Sequence, residues 1–169
     1  MECVLRNWRM EDAAALAGII GNRHIQDNLR DGIPFPYTEA DARAFLREMM
    51  AADPDRLFAF AVEAEGRLVG SIVLTRGQNV HSRTAEVGYY IAESCWGKGV
   101  GTAALRQACE WVFAQTDILR IYAEPYAFNA ASCRILEKAG FSLEGIMRAH
   151  AFKNGRVLDM KLYARIREE

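Results

Sequence analysis

One short stretch, Trp96-Gly97-Lys98-Gly99-Val100-Gly101-Thr102, constrains this chain more than any other. It joins a strand-like run at 84–92 to a run with helical spacing that begins at Val100. Three glycines at alternate positions leave the backbone bare, so amide N–H groups can approach an anion without β-carbons in the way. The helix that follows offers unpaired N–H groups and the positive end of its dipole to the same spot. That chemistry suits a pyrophosphate, and Lys98 can add a point charge. The plainer reading is a tight turn that needs glycine for its shape alone.

Two nucleotide motifs compete for the loop. A Walker loop requires Gly-Lys followed by Ser or Thr, and Lys98 is followed by Gly99, which argues against nucleotide hydrolysis. Gly99-x-Gly101-x-x-Ala104 fits a relaxed dinucleotide fingerprint, with Glu124 about twenty residues on. Against NAD(P), six residues (93–98) separate the strand from the turn, and the preceding strands resemble an antiparallel meander, not a parallel array.

Around the loop, periodicity gives the remaining elements. Val4 and Leu5 start a strand, and 10–20 is helical, with Ala14, Leu16, Ala17 and Ile20 apolar. Residues 31–37 contain Gly32, Pro34 and Pro36 and must be a loop. Thr38 with Asp41 forms a variant capping box for a helix whose Ala42, Phe45, Leu46 and Met49 share a face. Leu57–Ala64 and 67–75 make a hairpin turned at Glu65-Gly66. From Val100 a helix carries Ala104, Leu105, Ala108, Trp111 and Val112 on one face. A strand at 119–123, a helix at 130–139 stopped by Gly140, and a hairpin of 141–153 with 157–166 turned at Asn154-Gly155 complete the chain. These elements predict an α/β fold with a mixed, mostly antiparallel sheet flanked by helices, in one domain over 1–169.

Composition narrows the function classes. The net charge of −1 offers no footprint for nucleic acid or anionic lipid, and no apolar run approaches the ~20 residues of a membrane span. Cys3, Cys95, Cys109 and Cys133 show no metal-ligand spacing, and free thiols suit a reducing compartment, so a cytoplasmic protein without a metal is expected. Cys133 is expected to fill a helix face as a small hydrophobe, although it lies beside the candidate site.

Three segments in this order resemble the GNAT superfamily of N-acetyltransferases: Glu86-Val87-Gly88-Tyr89-Tyr90-Ile91 leading into the 96–101 loop, Asn129-x-x-Ser132, and Leu136-Glu137-Lys138-Ala139-Gly140-Phe141. The resemblance spans nearly the whole chain and is nearest the branch of ribosomal-protein alanine or serine N-terminal acetyltransferases (RimJ/RimL-like). It implies a splayed central sheet, acetyl-CoA as co-substrate, and transfer of acetyl to a primary amine, with a protein N-terminus the first expectation. A monomer or homodimer would fit. A small-molecule acceptor (polyamine, amino acid or aminoglycoside) and a non-catalytic acyl-CoA-binding regulator are the alternatives.

The resemblance also implies roles for residues. The strand bearing Tyr89 and Ile91 would splay from its neighbour and pair with pantetheine, and the N–H near Ile91 would bond the acetyl oxygen. Amides of Lys98, Gly99, Val100, Gly101 and Thr102, beside Trp96 and Gly97, would hold the pyrophosphate. Trp96 departs from the usual glutamine or arginine without removing the backbone cradle. Attack requires a neutral amine, and Glu86 stands where the family often places a general base. Its other reading is an exposed strand carboxylate. Leu136 occupies the position of the tyrosine acid of many relatives, so Ser132 becomes the candidate donor to the departing thiolate; equally, it can bond the backbone at a helix start. Asn129 suits an N-cap and can also touch the cofactor. Phe35, Tyr37, Tyr126 and Phe128 are candidates for an acceptor groove or for ordinary packing, and no histidine receives a role.

Overall fold

A near-continuous apolar run sets up a strand buried on both faces. In β2 (Leu57–Ala64), Phe58 and Val62 turn to one face, and Ala59 and Ala61 to the other. The computed structural model, which describes residues 1–168, places seven strands in one sheet, in the order β1-β2-β3-β4-β5-β7-β6. The others are β1 (Val4–Arg6), β3 (Arg67–Arg76), β4 (Thr84–Ile91), β5 (Arg120–Ala123), β6 (Ser142–Lys153) and β7 (Arg156–Ile166). Neighbours are antiparallel except β4 and β5, which run parallel and are joined by helix α4 (Val100–Gln115). Among the described residues no parallel array exists beyond that pair, so the doubly wound sheet of the dinucleotide reading is absent.

Helices cover both faces. Helices α1 (Ala13–Ile20) and α3 (Glu39–Ala51) bury Trp8, Leu16, Ile20, Ala42 and Leu46 on one. On the other, α4 and α5 (Ala130–Lys138) bury Val100, Leu105, Val112 and Leu136 against Ile72, Leu74 and Ile121. The capping box at α3 forms as expected: Thr38 Oγ1 accepts from Asp41 N–H at 3.2 Å, and Asp41 accepts from Thr38 N–H at 2.8 Å. Both hairpins turn on two residues of positive φ, Glu65-Gly66 (51° and 71°) and Asn154-Gly155 (51° and 72°), matching the right-handed strand twist.

One boundary, one additional helix and one side chain differ from the sequence reading. The helix expected at 10–20 opens as a 3₁₀ turn, Met10–Asp12, before α1. Its cause lies just ahead of the helix: Asp12 takes the Arg9 N–H at 3.0 Å and a two-point ion pair from Arg6 of β1, which holds the first turn tight. A further single-turn helix, α2 (Arg23–Gln26), capped by Asn22, is too short for periodicity to reveal. Trp111 is not on the buried face of α4; it is 43% exposed and leans its ring on Phe58 and Phe60 at 5.9 and 5.2 Å.

Candidate active site

The parallel pair is short, and the site follows from that. β4 and β5 match only at Thr84↔Arg120, Ala85↔Ile121 and Glu86↔Tyr122. Beyond Ala123 the chain passes Pro125, which has no N–H to continue a ladder, and joins β7 instead: Lys161 N–H donates to Pro125 O, and Ala127 N–H to Asp159 O. β4 runs on to Ile91 beside β3 alone, so the sheet splays. Ala92 N–H donates to Val69 O at 2.7 Å, which assigns the alternation: Gly88 and Tyr90 bond β3, while the N–H and C=O of Tyr89 and Ile91 face the gap. An open cavity of about 780 Å³ occupies this gap, a size suited to a small-molecule ligand.

The glycine loop closes one end of the cavity, and its three glycines are there for different reasons. Gly97 and Gly99 have φ of +72° and +80°, and a β-carbon on either would meet nothing within 4 Å. Their constraint is the left-handed backbone, which costs other residues about 1–2 kcal/mol. Gly101 has ordinary φ, but a β-carbon there would lie 2.9 Å from Ile135 Cδ1 of α5. Close packing of α4 on α5 therefore places a second demand on Gly101, which also lines the cavity where the spacing predicts a bare path for the phosphates. Lys98 is exposed and its side chain is not on the cavity wall, unlike Trp96, Gly97, Val100 and Thr102; its carbonyl accepts from the Met1 ammonium at 3.1 Å. Trp96 donates its indole N–H to Ile91 O at 2.7 Å and so pins the loop to the end of β4.

On the face covered by α5, Asn129 caps the helix by accepting from Ser132 N–H at 3.1 Å, and both residues line the cavity. The Ser132 hydroxyl is 2.8 Å from Tyr89 Oη, which also donates to Ser132 O at 3.3 Å. Burial holds the Tyr89 phenol well above the ordinary tyrosine pKa, with the Ser132 hydrogen bond working the other way. Leu136 is fully buried one turn on and belongs to the core. Cys133 is likewise core; the thiol on the cavity wall is Cys95.

On the opposite face of the splay stand carboxylates. Glu86 forms an ion pair with Arg30, whose guanidinium also lies 3.6 Å from Glu124 at the end of β5. For Arg30 burial opposes the charge, but the hydrogen bond and negative charge of Glu86, with help from Glu124, hold its pKa above the ordinary value. All three residues line the cavity. Sequence reading missed Arg30 altogether and met Glu124 only as part of the dinucleotide fingerprint. No local pattern marks Arg30, which pairs with a residue 56 positions away. Of the four aromatic candidates, Tyr126 lines the cavity, donates to Leu29 O at 3.0 Å and stacks on Phe128 at 5.5 Å. Phe35 and Tyr37 do not line it: Phe35 lies under Arg23, and Tyr37 packs near α1 and α3.

This geometry has counterparts among known proteins. The family model for an acetyltransferase (GNAT) domain matches residues 3–142. The chain belongs to the GNAT acetyltransferase family. Among curated GNAT relatives, YdaF of Bacillus subtilis (strain 168), by name a ribosomal N-acetyltransferase, is 32% identical over 172 residues, covering 98% of this chain and 91% of that protein. YjcK of the same strain, by name an N-acetyltransferase, is 33% identical over 109 residues, 64% of this chain and 60% of the relative. Among solved GNAT structures, Mycobacterium smegmatis RimJ in complex with CoA-disulfide superposes with a TM-score of 0.87 at 26% identity, over 97% of this chain and 81% of that one. The mixed splayed sheet expected from the sequence is thus the GNAT fold. Among the described residues no helix is long and apolar enough to cross a membrane, and no group of three or more metal-ligating side chains occurs.

Proposed function

We propose that this GNAT protein transfers acetyl from acetyl-CoA to a primary amine, and that the acceptor is a protein N-terminus. The observation that carries the proposal is the cavity at the splay. It joins free backbone N–H groups of β4, a helix start built on left-handed glycines, and a carboxylate pair. Acetyl-CoA supplies an activated acyl carbon in a thioester. The amides of Tyr89 and Ile91 can pair with an extended pantetheine as a neighbouring strand would, and the Ile91 N–H can also bond the acetyl oxygen and the oxyanion that grows on it. The backbone of residues 97–102 and the positive end of α4 suit the pyrophosphate. A carboxylate at the Glu86–Glu124 end first takes one proton from the ammonium; the neutral nitrogen then bonds the acyl carbon, and as the tetrahedral adduct collapses and the C–S bond breaks, the second N–H proton is lost to water. The Ser132–Tyr89 hydroxyls stand on the other face, where they can protonate the departing sulfur.

The acceptor reading has its own support. Two carboxylates outnumber the one guanidinium at that end, so it is anionic and suits a cationic amine. Relatives named for ribosomal-protein acetylation include the Escherichia coli (strain K12) ribosomal-protein-serine acetyltransferase, 31% identical over 63% of this chain. The test is CoA release from acetyl-CoA with a panel of free and N-blocked peptides, polyamines, amino acids and aminoglycosides. We expect turnover with free N-termini and none with blocked peptides. Faster turnover of a polyamine or aminoglycoside would move the acceptor to small molecules, and no thioester cleavage with any amine would leave a binding protein.

A further inference from the structure

Arg30 stands at a junction. A second cavity of about 360 Å³, with His150 and Phe152 on its wall, adjoins the first, and Arg30, Glu124, Tyr126 and Met160 line both. The chain on either side of Arg30 is tethered. Leu29 O accepts from Tyr126 Oη at 3.0 Å, and Asp31 accepts from the buried ammonium of Lys153 at 3.1 Å, tying the loop to the β6–β7 hairpin. The Arg30 side chain is held differently. It is 60% exposed, and its only charged partners among the described residues are Glu86 and Glu124, 30% and 24% exposed. A tethered chain with an exposed, ion-paired side chain is a pivot: the guanidinium can leave the carboxylates without moving the loop. Exposed pairs are weak, so that exchange is cheap.

We propose that Arg30 is a resident stand-in for the acceptor's ammonium: it offsets one of the two charges of the Glu86–Glu124 pair until a cationic amine, entering from the second cavity, displaces it. The inference rests on the acceptor reading above and deepens it. Arg30 thereby sets specificity for an acceptor that presents a single positive charge at its reacting end. A neutral group cannot replace the guanidinium without leaving two carboxylates uncompensated in a partly buried site. On this view Arg30 opposes acceptor binding, whereas a residue that grips the acceptor's peptide backbone would favour it. The two roles predict opposite signs.

The experiment compares full-length Arg30→Gln and Arg30→Lys with the unaltered protein, each first checked for folding by thermal melting. With a free N-terminal peptide and saturating acetyl-CoA, Arg30→Gln should lower the acceptor KM by roughly two- to fivefold, the scale of a partly exposed ion pair. Arg30→Lys, which keeps a cation on the pivot, should stay near the original value. Methylguanidinium should inhibit Arg30→Gln competitively against the peptide and leave the unaltered protein almost unaffected, with choline at equal ionic strength as control. Titration calorimetry of methylguanidinium into Arg30→Gln tests the vacated position without any turnover. If no amine is acetylated by the unaltered protein, the acceptor reading fails, yet calorimetry still decides the stand-in. A raised KM in Arg30→Gln, or no methylguanidinium binding to it, would overturn the proposal.

Discussion

The hydroxyl of Ser132 does not cap α5; Asn129 does that, and Ser132 Oγ turns instead to Tyr89 Oη at 2.8 Å. Its side chain thus contacts a half-buried phenol on β4, across the cleft from its own helix. Since burial raises the Tyr89 pKa, the phenol stays protonated through neutral and mildly alkaline pH, so the proton that the proposed donor role needs is present there. We expect Ser132→Ala to lower kcat by about tenfold, or ~1.4 kcal/mol, with acetyl-CoA affinity nearly intact, because a thiolate leaves without strong acid help. Tyr89→Phe should show a loss of similar size. If the hydroxyls act in series, the double variant should be little worse than either single one, as expected for groups that work as a unit. Steady-state kinetics with calorimetric acetyl-CoA affinities decide the matter, and normal turnover in Ser132→Ala would remove the pair from the mechanism.

At the scale of elements, the loop and helices around the cavity divide one motif into separable tasks. Gly99→Ala should distort the left-handed N-cap of α4, lowering stability by about 1–2 kcal/mol and weakening CoA binding, since the amides it orients face the cavity. Gly101→Ala meets the movable end of Ile135, so its cost of about 1–3 kcal/mol should fall on packing of α4 against α5. Denaturant melts with CoA titrations separate the two, and equal losses of affinity per unit of lost stability would refute the division. The glycine pattern was legible because positive φ and close approach leave local marks, but which glycine answers which demand was not. Likewise the 57–64 strand announces itself as an apolar run stopped by the Glu65-Gly66 turn, whereas the 3₁₀ start of α1 depends on Arg6 of β1 reaching Asp12. The carboxylate end of the site was legible only at Glu86; Arg30 and Glu124 meet through the topology, not through any spacing.

For the molecule as a whole, the splay leaves β4 with strand-capable N–H groups at Tyr89 and Ile91 that have no strand beside them. A ligand lying along that edge would contact β4, the start of α4 and the start of α5 together, and so couple the two halves of the sheet. Ligands that bind the native fold alone stabilise it by mass action, by about 2.7 kcal/mol at a hundred times the dissociation constant. For a chain of this length each kcal/mol moves the midpoint by about 2–4 °C, so CoA and acetyl-CoA should raise Tm by roughly 5–11 °C in scanning calorimetry. NAD(P) should not, because the parallel strand array that would seat it is missing. Hydrogen exchange adds location: the amides of Tyr89 and Ile91 should slow on CoA binding, while those of Gly88 and Tyr90, already bonded to β3, should change less. A Tm shift with NAD(P) and none with CoA would refute the cofactor. A CoA-induced shift without slowing at Tyr89 and Ile91 would place the ligand elsewhere than in the splay.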